Sequence, residues 1–134
     1  MEQGRIQELI VASLAARKNS YSPYSHYRVG AALLSGDGRV FGGCNVENAS
    51  YPACICAERT AMVKAVSEGV KDFAAIAITG GSEEIPTDYA YPCGVCRQVM
   101  GEFCKGDFLI IVAKSTEEYR TYTLDDLLPE RFEL

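Results

Sequence analysis

Cys56-Ala57-Glu58 and Pro92-Cys93-Gly94-Val95-Cys96 place three thiols and one carboxylate in two short patterns. Three thiolates suit a zinc ion, which takes four ligands in a tetrahedron. A structural site fills every corner from the protein, whereas a catalytic one keeps a corner for water. Glu58 beside such a corner is then an acid/base group and not a ligand. Two residues on a regular helix diverge by about 200°. Cys56 and Glu58 can therefore face one ion only if Cys56 sits at the very first position, before the spiral is established. Cys93 and Cys96, three apart, lie about 60° from each other on a helix, and Pro92 suits its entry. A helix start also favours thiolate over thiol.

Three thiolates around a dication leave one net negative charge, which opposes ionisation of a bound water. Arg59, directly after Glu58, is the natural charge-assisted donor to a zinc-bound sulfur. Arg97 holds the equivalent place after Cys96. A closed alternative exists, because Cys54-x-Cys56 with Cys93-x-x-Cys96 could make a four-cysteine knuckle. It leaves Glu58 without a role. Cys44 and Cys104 lie away from both patterns and read as ordinary buried thiols. His26, the only histidine, sits beside a Pro/Ser loop and reads as a surface residue.

These residues need elements to hold them. The N-terminal stretch reads as an amphipathic helix with Ile6, Leu9, Ile10, Ser13 and Leu14 inward and Gln3, Gln7 and Arg17 outward. Asn19–His26 is a loop. Val29–Leu34 and Val40–Val46 form a hairpin through Ser35-Gly36-Asp37-Gly38. Cys56–Gly69 is helical, Phe73–Thr79 a buried strand closed by Gly80-Gly81, and Ser82–Tyr91 a polar loop. A second helix runs from Cys93 to about Cys104. Phe108–Ala113 is another buried strand, Tyr119–Thr123 an edge strand, and Leu124–Leu128 a short helix before Pro129. Strands alternating with helices after a hairpin predict an α/β fold, a three-layer α/β/α sandwich around a mixed sheet.

With 134 residues, 48% of them hydrophobic, the chain reads as one catalytic domain over 1–134. No apolar run approaches the roughly eighteen residues of a membrane span, and the N-terminus lacks the pattern of a signal peptide. A cytoplasmic location is expected. Clustered cysteines then point to metal or catalysis more than to disulfides. A net charge of −5 repels phosphate backbones. A small neutral molecule is the expected substrate, with neither nucleic acid nor membrane as partner.

Beyond these readings, the chain resembles a cytidine deaminase of the small, homotetrameric, zinc-dependent class nearly end to end. The resemblance rests on Tyr21-Ser22-Pro23-Tyr24-Ser25, Val29-Gly30-Ala31-Ala32-Leu33 and Gly43-Cys44-Asn45-Val46-Glu47-Asn48-Ala49. It continues through Cys56-Ala57-Glu58-Arg59-Thr60-Ala61, Pro92-Cys93-Gly94-Val95-Cys96-Arg97-Gln98-Val99 and Leu127-Leu128-Pro129. It implies one Zn2+ per chain on Cys56, Cys93 and Cys96, with Glu58 as proton shuttle and Arg59 supporting the thiolates. It also implies that Asn45 and Glu47 grip the ribose hydroxyls and that Tyr27 stands near the base. Val46 and Ala57 join the substrate-binding set. Phe132 reaches a neighbouring subunit's site, and Tyr51 lies at a shared site edge. The implied reaction is hydrolytic deamination of cytidine and 2′-deoxycytidine to uridine and 2′-deoxyuridine with release of ammonia, a step of pyrimidine salvage. Tyr91 stands where relatives carry Ser, and Tyr27 where they often carry Phe.

Overall fold

The computed structural model describes residues 1–134. Helix α1 (Gln3–Arg17) precedes strands β1 (Arg28–Ser35) and β2 (Val40–Cys44). Helix α2 (Ala57–Ser67), strand β3 (Phe73–Gly81) and helix α3 (Gly94–Phe103) follow. Strands β4 (Leu109–Ala113) and β5 (Tyr119–Thr123) and the short helix α4 (Leu124–Leu127) complete the chain. The five strands form one mixed sheet in the order β2-β1-β3-β4-β5. Only β3 and β4 run parallel; every other neighbour is antiparallel.

The strands obey a period of two, and that alternation makes two cores. Ala31, Leu33, Ile76, Ile78, Ile110 and Val112 pack with Ala61 and Met62 of α2 and Met100 of α3. Ala32, Leu34, Ala75, Ala77, Ile111 and Ala113 pack on the other face with Ile6, Leu9 and Ile10 of α1. Strands buried on both faces read as continuous apolar runs, as FAAIAIT and FLIIVA do. Each fully buried Leu or Ile contributes about 1.5–3 kcal/mol. The sandwich expected from the sequence is the one observed.

Two glycines let the helices reach the sheet. A Cβ on Gly30 of β1 would lie 2.1 Å from the Ser13 carbonyl oxygen of α1. A Cβ on Gly43 of β2 would lie 2.5 Å from the Ala61 amide nitrogen and 2.7 Å from the Ala57 carbonyl oxygen. The start of α2 is thereby pressed onto the sheet edge.

Several details differ from the expected elements: strand β2, for one, ends at Cys44 and not at Val46. Strand β3 runs on through Gly80 and Gly81, because both pair with β1 at Val29 and Arg28. Cys93 precedes α3 instead of opening it. Arg17 does not face outward; it is 5% exposed. Its guanidinium donates to the carbonyls of Arg28 (3.0 Å), Gly81 (2.7 Å), Glu84 (2.8 Å) and Glu83. Those acceptors come from distant parts of the chain, so helical periodicity could not reveal them. No helix is long and apolar enough to cross a membrane.

Candidate active site

Cys56 and Cys93 are the N-cap residues of α2 and α3, each in extended backbone conformation. Cys56 therefore precedes the first helical turn, as its pairing with Glu58 requires. The Cys56 carbonyl accepts from the Thr60 amide at 3.0 Å, and the Cys93 carbonyl from the Arg97 amide at 2.9 Å. Both helix starts thus aim partial positive charge at sulfur. Cys96 follows in the first turn of α3 and is buried.

The three sulfurs lie within 4.8 Å of one another, with Cys56 and Cys93 3.7 Å apart. Zinc–sulfur bonds of about 2.3 Å in a tetrahedron put sulfurs about 3.8 Å apart. The cluster therefore fits a zinc ion in spacing and in donor chemistry. Cys54 stands outside it: its sulfur accepts from the Asn48 amide at 3.2 Å and faces the Asn48 carbonyl at 3.5 Å. The closed four-cysteine alternative has no support in this geometry.

Charge is managed within the cluster. The Cys56 thiol is lowered to about 5, chiefly by hydrogen bonding with Cys96, with Arg59 and Cys93 adding to the effect. Cys96 is pushed up by the same interaction and by burial. Arg59 Nη2 donates to the Cys56 sulfur at 3.6 Å. Arg97 is spent elsewhere, on the carbonyls of Pro92 (2.7 Å) and Leu127 (2.8 Å). It ties α3 to α4 and leaves sulfur alone.

Glu58 is 5% exposed and lines a cavity of about 370 Å³. Burial raises its carboxyl to about 7, with the Cys56 thiolate adding. A carboxyl balanced near neutrality can both take and return a proton. Tyr27, Ala57, Asn45, Glu47, Cys93 and Tyr91 share the same wall. Burial also raises the Tyr27 hydroxyl.

Asn45 and Glu47 sit two apart in extended chain and so point the same way. Val46 between them points away: it is 40% exposed and does not line the cavity. Its amide bonds the Ile55 carbonyl at 3.0 Å. Asn45 Oδ1 accepts from Ser20 and from the Val29 amide at 2.9 Å, while Nδ2 donates to the Tyr27 carbonyl at 2.8 Å. One Nδ2 proton remains for a ligand. Glu47 accepts from the Tyr24 and Ser25 amides at 3.0 and 3.1 Å and from the Ser25 hydroxyl. These bonds hold its carboxyl below the usual range, the Ser25 hydroxyl first. Nothing in the sequence distinguishes Ser20 and Ser25 as braces, because a serine-rich loop gives no sign of which hydroxyl turns inward.

Phe132 is 68% exposed and does not line its own chain's cavity. Its carbonyl accepts from Gln98 at 3.2 Å. Tyr51 is 77% exposed, in an adjoining hollow with Tyr24, Ser25, Glu47 and Cys54. His26 is exposed and is not part of the thiol cluster. Cys104 is buried, which pushes its thiol up to about 12, and Cys44 is half-buried.

An α/β/α sandwich carrying thiols at two helix starts and a buried carboxyl between them defines a zinc-binding deaminase fold. Residues 4–112 match the family of the cytidine and deoxycytidylate deaminase zinc-binding region, and the chain belongs to that family. A cytidine deaminase from Sporosarcina psychrophila is 44% identical over 127 residues, spanning 95% of this chain and 90% of the relative. One from Halalkalibacterium halodurans is 45% identical, spanning 94% and 92%. The crystal structure of cytidine deaminase from Burkholderia pseudomallei superposes with a TM-score of 0.85 at 46% identity, covering 93% of this chain and 97% of that one.

Proposed function

We propose that this protein hydrolyses cytidine and 2′-deoxycytidine to uridine and 2′-deoxyuridine, releasing ammonia, as a cytoplasmic enzyme of pyrimidine salvage. One observation carries the reading: a buried Glu58 lines a nucleoside-sized cavity beside three clustered thiols. A zinc ion held by Cys56, Cys93 and Cys96 would supply the Lewis acidity that brings water's pKa towards neutrality.

The chain's own residues do the rest. Glu58 takes a proton from water as its oxygen attacks C4 of the cytosine, and gives a proton to N3. It then moves the proton of the new C4 hydroxyl to the exocyclic amine. The C4–N bond breaks, ammonia leaves and C4 becomes a carbonyl. One carboxyl thus serves as base and then as acid. Arg59 donates to the Cys56 sulfur and adds to the stabilisation of its thiolate. The free Nδ2 proton of Asn45 and the carboxylate of Glu47 offer a donor and an acceptor to the ribose hydroxyls. The relatives are named cytidine deaminases, which supports the substrate.

We further propose a homotetramer with shared active sites, in which Phe132 closes a neighbour's cavity. The exposure of Phe132 and Tyr51 supports this. Glu47→Ala tests the ribose assignment: KM for cytidine should rise at least tenfold. An unchanged KM would mean the sugar is held elsewhere.

A further inference from the structure

A second hollow of about 390 Å³ lies at the Ser20–Arg28 loop. It is lined by Ser20, Ser22, His26, Arg28 and Ser82, with no apolar residue and no carboxylate. That lining is unusual for a chain of net charge −5. Its volume falls within the range of about 300–1,000 Å³ common to small-molecule sites.

The positive charge behind this hollow is unpaired. Arg28 is half-buried, and its guanidinium makes no hydrogen bond or ion pair in the protein. Arg17, close enough for the two cations to repel, is buried and bonded only to carbonyl oxygens. Glu84 lies near Arg17 and favours its charge, but neither Glu83 nor Glu84 forms an ion pair with either arginine. Arg28 alone has no ion-pair partner, and its half-buried guanidinium lines the hollow, where an anion would complete its hydrogen bonding. The hydroxyls of Ser22 and Ser82 add neutral donors to the lining, while the Ser20 proton is given to Asn45.

We infer that this hollow is a binding site for a phosphate-class oxyanion, held by Arg28 with the Ser22 and Ser82 hydroxyls and His26. Guanidinium and hydroxyl donors converging from several elements match the acceptor oxygens of a tetrahedral anion. The hollow is larger than a bare oxyanion needs, so a phosphomonoester also fits. The site shares no lining residue with the nucleoside cavity, although His26 is close enough to Glu47 to favour its charge and Ser20 donates to Asn45.

The test is thermal unfolding of the zinc-loaded protein at constant ionic strength, with chloride replaced stepwise by inorganic phosphate, and separately by adenosine 5′-monophosphate. Phosphate stabilises many proteins by exclusion from their surface, so wild type is compared with Arg28→Gln and with Ser22→Ala/Ser82→Ala. The expected result is a saturating rise in Tm for wild type that is lost in Arg28→Gln and reduced in the double serine variant. Should Arg28→Gln fail to fold, the serine variant carries the comparison. Saturation at lower concentration with the nucleotide identifies a phosphomonoester ligand, and saturation with phosphate alone a free oxyanion. No saturating rise, or an equal rise in wild type and the variants, overturns the assignment.

Discussion

A buried carboxyl such as Glu58 is expensive to ionise, and that expense is part of its function. Its pKa is raised to about 7 in the fold from an ordinary 4.5. The folded chain therefore binds more protons than the unfolded chain between these values, and stability falls as pH rises across that window. Below about pH 4.5 the group is protonated in both states and costs nothing; above about 7 the whole penalty of roughly 3 kcal/mol applies. Glu58→Gln removes it. Chemical denaturation of metal-stripped protein should show the variant more stable than wild type at pH 8 and nearly equal at pH 4.5; equal stability at both would mean Glu58 is not desolvated. Cys54→Ala should keep its full zinc content, because Cys54 bonds only Asn48. Tyr91 is braced by the Tyr122 hydroxyl at 3.0 Å and Arg120 at 2.9 Å, and it lines the cavity two residues before Cys93. Tyr91→Ser should widen the base end, raising kcat/KM for N4-methylcytidine relative to cytidine. Spacing brings out the cysteines and Glu58 as candidates but leaves a four-cysteine knuckle open, because only the fold brings Cys56 to Cys93 and Cys96 and leaves Cys54 aside. It cannot reveal that Val46 turns away or that Ser20 and Ser25 brace Asn45 and Glu47, since those contacts depend on how a loop closes.

Elements set the precision of this site. Both halves of the cysteine cluster start helices that lie on one face of the sheet, and Gly43 fixes how closely α2 approaches. Gly43→Ala forces a Cβ into the Ala57–Ala61 backbone, a clash worth about 1–3 kcal/mol. It should lower both Tm and kcat, because the helix that moves carries Cys56 and Glu58. Gly4→Ala, with nothing within 4 Å, is the control and should be neutral or slightly stabilising. A Gly43→Ala protein with wild-type kcat would separate α2 position from catalysis. The hairpin, the two central strands and the handover from loop to helix at Cys56 are readable because period-two burial and turn residues are local signals. The burial of Arg17 is not, because four carbonyls from two remote segments replace the water that a guanidinium normally keeps.

The whole molecule joins an acidic surface to a cavity whose chemistry depends on one metal. Metal binding is folding free energy wherever its ligands are deprotonated and brought together by the fold. Chelation should therefore lower Tm, and added zinc should restore it. If copies share their cavities, Phe132→Ala should raise KM for cytidine while light scattering still reports a tetramer. An unchanged KM would remove Phe132 from the neighbouring site. Glu58, as the proton carrier beside a three-thiolate metal site, is the residue on which turnover depends. Its most direct test pairs the absorbance change of cytidine turnover with zinc per chain in Glu58→Gln. We predict about one zinc per chain and a rate at least 10²–10⁴-fold below wild type; near-wild-type turnover, or loss of the metal, would contradict it.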